Sequence, residues 1–275
     1  DVCSLAIEIP YPQTTKQPLL FLVDVSGSMG IMDETGTTRL QRLLDGLKIF
    51  KERLLHDTAA RRSVEVAVLV FGRKNDECGV ELVQDFINIE QFNVPENLRA
   101  EGPTPLAYAI LKAINIVEER KKLYKLKGIN YYRPWIWLIT DGFPTDILSP
   151  EFIEKVDNQQ INPEDVPMYC GSGDKELYDK LIKTLKEGID RRKFILWPVV
   201  VGKKNEYYAI VGQQILNKCI MEKVDPSRPA LFMEDTMDKW KEMIRWLSAS
   251  ISTVSRSRPG ETIKLEPIGW AQLKI

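Results

Sequence analysis

The sequence predicts an α/β fold: a doubly wound, mostly parallel central sheet with helices on both faces. Three observations lead there. Short apolar runs alternate with segments whose apolar residues recur every three or four positions, the pattern of strands alternating with helices. The best of those runs are continuous rather than alternating, as in strands covered on both faces. Small oxygen-bearing residues follow two of them directly, at Asp24 and Asp141, the carboxyl edge where open parallel sheets bind their ligands.

Residues 1–18 contain Pro10, Pro12 and Pro18 and read as an irregular N-terminal segment. Residues 19–23 (LLFLV) form the first strand. From Arg39 onward Leu40, Leu43, Leu44, Leu47, Phe50 and Leu54 share one helical face. Residues 64–71 (VEVAVLVF) and 80–89 read as two further strands separated by a polar turn. A second helix starts at Pro105, with Thr104 as its N-cap and Leu106, Ile110, Ala113 and Val117 on one side. Residues 134–140 (PWIWLIT) are the next strand, and residues 176–189 are helical. Residues 194–201 (FILWPVVV) are a strand in which Pro198 predicts an irregularity. Residues 230–233 form a short last strand. A final helix aligns Met237, Trp240, Ile244, Leu247, Ile251 and Val254, a stripe too short for a coiled coil and suited to a core. The domain therefore spans 19–255, with an extended segment at 143–192 and a C-terminal tail at 256–275.

A chain of 275 residues buries roughly three quarters of its unfolded surface, enough for a core without staples. Its 38 Lys and Arg nearly balance 39 Asp and Glu, so no bulk field draws in nucleic acid or anionic lipid. No apolar run approaches the roughly 18 residues of a membrane span. Asp1 is not a methionine, so the sequence leaves a removed leader open. Cys3, Cys78, Cys170 and Cys219 lack zinc-site spacing and read as reduced thiols of a cytosolic protein.

The chemistry lies in three clusters: Asp24, Ser26 and Ser28 in FLVDVSGSM, Thr104 in GPTPL, and Asp141 in LITDG. Carboxylates and hydroxyls without histidine or thiolate suit a hard cation such as Mg²⁺. Hydroxyls are neutral, so such a site leaves the ion electron-poor. Gly27, Gly30, Gly102 and Gly142 are placed to shape the loops around it. Taken singly, each cluster reads equally well as a strand end, a turn or a helix cap.

In their order and spacing the three clusters resemble the metal-ion-dependent adhesion site (MIDAS) of the von Willebrand factor A (VWA) family. The tail, with WLSASISTVSRSRPGE from Trp246 and with Gly269-Trp270, resembles the TerY group of bacterial A-domain proteins. The family resemblance implies that Ser26, Ser28 and Thr104 ligate Mg²⁺ directly, with Mn²⁺ or Ca²⁺ as substitutes. Asp24 and Asp141 would act mainly through water, and an open coordination position would take an Asp or Glu of a protein partner. The TerY resemblance implies a cytoplasmic bacterial protein tied to stress response, tellurium resistance or defence. Its partner would be a kinase, a phosphatase or another operon-encoded protein.

The segment 143–192 follows Asp141 and should approach the metal face. Asp146, Asp157, Glu164, Asp165 and Asp174 make it acidic, and it either shapes partner choice or is a solvated excursion. His56 reads as a helix-end surface residue. GSGDK at Gly171 lacks the P-loop spacing and reads as a lead-in to a helix.

These residues favour a non-enzymatic interaction module. A Mg²⁺-dependent phosphatase with an aspartyl nucleophile uses Asp-x-Asp, with the second carboxylate as general acid; here Ser26 stands in that place. A secreted adhesin or receptor A-domain would use the same site, and it predicts disulfides.

Overall fold

The computed structural model describes residues 7–73 and 79–271. Six strands form one sheet: β1 (Gln17–Asp24), β2 (Val64–Phe71), β3 (Val80–Asn88), β4 (Trp135–Thr140), β5 (Ile195–Gly202) and β6 (Leu231–Glu234). Their order is β3-β2-β1-β4-β5-β6. All neighbours are parallel except the β2–β3 pair, so the one antiparallel strand lies at an edge.

The helices are α1 (Arg39–Leu55), α2 (Thr58–Ser63), α3 (Leu106–Leu126), α4 (Pro150–Asp157), α5 (Lys175–Asp190), α6 (Tyr207–Ile215) and α7 (Met237–Arg256). Successive strand residues point to opposite faces, and β1 divides its side chains accordingly. Leu20 and Leu22 join a core with α3 and α5 through Ala113, Val117 and Leu181. Leu19, Phe21 and Val23 join a second core with α1 and α7 through Leu43, Phe50, Ile244 and Leu247. Phe21 meets Phe50 edge to face at 5.5 Å. Each such fully buried side chain contributes about 1.5–3 kcal/mol, which is why a fully apolar run was legible as a two-sided strand.

The chain winds outward from β1 to β2 and then crosses to β4 on the other side. Strand order reverses between β1 and β4, whose register pairs Val23 with Ile139. Asp24 and Asp141 therefore leave neighbouring strands at the switch point, where carboxyl-edge loops part and leave a crevice.

Three details depart from the sequence reading and one, the third below, adds to it. Pro198 causes no irregularity: β5 keeps register with β4 through the Leu138–Pro198 pair. Pairing with β6 begins only at Val199, so the missing N–H costs no bond on that side. Thr104 does not cap α3 through its side chain; the capping position falls on Pro105. The carboxylate of Asp146 instead accepts the Tyr108 N–H at 3.1 Å. The segment after residue 256 covers the second core, with Ile263, Leu265 and Ile268 packed against it and Trp270 buried. The Trp246 indole N–H donates to the Glu266 carbonyl at 2.9 Å.

The fourth concerns cysteine. Cys170 and Cys219 form a disulfide with Cα atoms 5.1 Å apart, correcting their reading as reduced thiols. Sequence separation concealed the pair, because only the docking of residues 163–170 against α6 and the π-helical turn Leu216–Met221 brings them together. Cys3 and Cys78 lie outside the described residues. His56 ends α1 and is exposed, and Asp174 caps α5 after the Gly171 loop, as expected.

The disulfide closes a loop with a sequence separation of 49. Cys170→Ser should lower unfolding stability by about 4 kcal/mol, read as a fall in urea midpoint that reductant reproduces in the wild type. Alkylation before reduction should leave Cys170 and Cys219 unmodified in peptide mass spectra.

Candidate functional site

Three loops converge above the switch point. The first leaves β1 at Asp24 and turns through a short 3-10 helix at Gly27–Gly30. The second precedes α3 and carries Thr104, and the third leaves β4 at Asp141. Glu101 N–H donates to Val25 O at 2.8 Å and joins the first two, while Val25 N–H donates to Phe71 O at 2.7 Å and ties the first loop to the end of β2. The second and third are joined by Thr145 N–H to Thr104 O at 2.9 Å and by Thr104 N–H to the Thr145 hydroxyl at 3.1 Å.

All five sequence-predicted oxygen residues come together. Asp24 is fully buried; one carboxylate oxygen accepts the Ser26 N–H at 2.7 Å, the other the Thr140 hydroxyl at 2.6 Å. The Ser26 and Ser28 hydroxyl oxygens lie 3.3 Å apart, and the Ser28 hydroxyl donates to Asp141 Oδ1 at 2.6 Å. Gly142 marks the point of convergence. A Cβ there would stand 3.2 Å from Thr104 Oγ1, 3.7 Å from Asp24 Oδ2 and 3.9 Å from Ser26 Oγ. Any larger residue would intrude on the oxygens.

The other three glycines behave differently. Gly102 sits at φ +90°, and a Cβ there would come 2.6 Å from the Gly72 carbonyl, so the second loop packs on bare backbone. Gly30 would touch only Ala100 Cβ at 3.3 Å, and a Cβ on Gly27 would meet nothing within 4 Å. Gly72, passed over in the sequence, lies directly beneath the first loop, where a Cβ would approach Ser26 N to 2.6 Å.

Burial and the neighbouring Asp141 both raise the Asp24 carboxyl pKa above the usual range, against the hydrogen bonds it accepts. Burial likewise raises Asp141, while Ser28 and Arg39 oppose the shift. Two like charges in a dry site repel, and Arg39 is the counterweight that sequence reasoning missed. It was read only as the start of a helix, and nothing in its spacing marked it. Its guanidinium is buried and donates to Asp141 Oδ2 at 2.9 Å and to Asp235 Oδ2 at 2.7 Å, with Glu206 at 3.4 Å. Arg42 and the Trp240 indole also bond Asp235. Burial works against ionisation of Asp235, yet these donors hold its carboxyl below the usual range.

This donor set fits a hard dication. Three neutral hydroxyls and two carboxylates crowd one glycine-lined point with no soft ligand beside them, the chemistry Mg²⁺ prefers. Among the described residues no three His, Cys, Asp or Glu side chains are grouped so as to hold a metal ion, so a cation here would depend on Ser26, Ser28 and Thr104.

The point opens into a cleft of about 430 Å³, lined also by Ile31, Phe143, Ile153, Asp157, Tyr208 and Ala209. The start of the 143–192 segment thus forms one wall of the site. Of its acidic residues only Asp157 lines the cleft; Glu164, Asp165 and Asp174 do not.

No protein-family model matches this chain, and no curated protein matches it. Solved structures do. The pilus adhesin SpaC from Lactobacillus rhamnosus GG aligns with a TM-score of 0.58 and 14% identity, over 88% of this chain and 31% of that one. The PilB minor pilin from Streptococcus sanguinis gives 0.54 and 13%, over 87% and 62%. The vWF domain of the type V pili tip protein Mfa5 from Porphyromonas gingivalis gives 0.53 and 11%, over 90% and 99%. This chain therefore spans under two thirds of the length of SpaC and PilB, and it has the VWA-type α/β fold.

Removing one partner of a buried ion pair leaves an uncompensated charge. Arg39→Ala should therefore cost about 3 kcal/mol or more in urea-unfolding stability, whereas Lys122→Ala on exposed α3 surface should stay within about 0.5 kcal/mol.

Proposed function

We propose that this chain is a non-enzymatic protein-interaction module that captures a partner's Asp or Glu through a Mg²⁺ held by Ser26, Ser28 and Thr104. The observation that carries this reading is the gathering of Thr104 Oγ1, Asp24 Oδ2 and Ser26 Oγ within 3.9 Å of one position at Gly142. When bound, the ion would supply an electron-poor centre for an incoming carboxylate. Thr140 and the Ser26 amide orient Asp24. Arg39 holds one Asp141 oxygen, leaving the other to fix Ser28. Mn²⁺ or Ca²⁺ would substitute less well if the site demands the compact octahedron of Mg²⁺.

The chemistry favours binding over catalysis. Asp24 is fully buried with both oxygens engaged, a poor nucleophile, and Ser26 stands where a phosphatase of that type needs its general acid. Phosphatase assays with and without Mg²⁺ test this directly, and metal-dependent turnover abolished by Asp24→Asn would establish the enzyme instead.

Two settings suit such a module. A cytoplasmic stress-response, tellurium-resistance or defence role, with a kinase, phosphatase or operon-encoded partner, rests on the tail resemblance at 246–270. A secreted or surface adhesin role is favoured by the Cys170–Cys219 disulfide, since disulfides persist in oxidising compartments. The pilus-protein neighbours point the same way. We adopt the second as the better supported. No helix among the described residues is long and apolar enough to cross a membrane.

Ligand binding to the native state stabilises it by RT ln(1 + [L]/Kd). Mg²⁺ at about a hundred times its Kd should raise stability by about 2.7 kcal/mol in thermal or urea unfolding. Thr104→Ala should abolish that increment while leaving metal-free stability nearly unchanged. A native-lysate pull-down in Mg²⁺, in EDTA, and with Thr104→Ala in Mg²⁺ then identifies the partner as whatever is lost from both controls.

A further inference from the structure

The cleft beside the hydroxyl cluster is larger than one carboxylate needs. Its volume of about 430 Å³ falls in the range of roughly 300–1,000 Å³ typical of ligand pockets. Its walls are mostly apolar: Ile31 on the first loop, Phe143 on the third, Ile153 on α4, and Tyr208 and Ala209 on α6. Ile31 is 41% exposed and the adjoining Met32 65%, so apolar surface continues past the rim.

The α4 wall is held in place. The Tyr208 hydroxyl donates to the Asp157 carbonyl at 3.2 Å, and Tyr207 bonds both the N–H and the carbonyl of Ile161. The Cys170–Cys219 disulfide fastens the same segment further on. A wall fixed beforehand loses little entropy on binding, which favours selective recognition.

The charges lining the cleft are unevenly satisfied. Arg39 is its one cation among the described residues, and Asp141, Asp235 and Glu206 already hold it. An incoming carboxylate therefore has no free cation except a bound metal. Asp157 lines the cleft and is exposed, and no cation pairs with it among the described residues. An incoming Lys or Arg has a free partner there.

We propose that the cleft reads a short segment of a partner protein in which an Asp or Glu adjoins a bulky apolar side chain, with a Lys or Arg within two residues. The acidic residue meets the metal, the apolar side chain fills the Phe143–Ile153–Tyr208 wall, and the basic residue pairs with Asp157. This deepens the metal-bridged reading above and rests on it for the acidic position.

The test uses fluorescein-labelled heptapeptides with a central Asp and randomised flanks, captured on the wild type and on variants in Mg²⁺ or EDTA. Wild type should enrich bulky apolar neighbours about tenfold over glycine and basic over acidic flanks about threefold. Ile153→Ser should erase the apolar preference. Asp157→Lys, an exposed change that leaves the core untouched, should reverse the charge preference. Indifferent flanks in the wild type, unchanged flank preferences in both variants, or no retained peptide would overturn the proposal. Retention that survives EDTA and Thr104→Ala, with flanks still obeying Asp157→Lys, would sink the metal reading and leave the cleft assignment standing.

Discussion

Everything at the site depends on holding two carboxylates side by side in a dry place. The β1–β4 register puts Asp24 and Asp141 at adjacent strand ends, where burial and mutual repulsion both oppose their charge. Such a pair is stabilised when each carboxylate oxygen has a partner. Thr140, the Ser26 amide, Ser28 and Arg39 supply those partners. The Ser28 hydroxyl and the Ser26 backbone are thus fixed by the same bonds that stabilise the carboxylates.

Arg39 extends this constraint across the molecule. It bridges Asp141 on the third loop to Asp235, which sits just before α7 and also receives Arg42 and Trp240. The cost of burying a guanidinium is offset by its several carboxylates. Part of the site's negative charge is thereby neutralised, so the donors left facing the cleft are chiefly neutral oxygens. That division leaves Ser26, Ser28 and Thr104 as the neutral oxygens lining the cleft, beside the Arg39-paired Asp141.

The segment after Asp141 has a comparable double role. It builds the apolar wall, and it is held by its own buried Ile147, Phe152 and Val156 together with Tyr207, Tyr208 and the disulfide to the π-helical turn. Tyr208 serves both purposes, lining the cleft and holding the Asp157 carbonyl, whereas the Cys170–Cys219 disulfide lies outside the cleft lining.

The sequence by itself determined the α/β class, the six strands, the helices α1, α3, α5 and α7, and the five oxygen residues Asp24, Ser26, Ser28, Thr104 and Asp141, while α2, α4 and α6 went unread. Each of these rests on local spacing: continuous apolar runs, three-and-four periodicity, and small polar residues just past a strand end or, for Thr104, just before a helix. Tertiary structure alone decided what depends on distant segments meeting. Arg39 pairs with residues 102 and 196 positions away, Gly72 passes under Ser26, Cys170 finds Cys219, and residues 263–270 cover a core face. Periodicity reports which face of an element is buried and carries no information about the group it will be buried against.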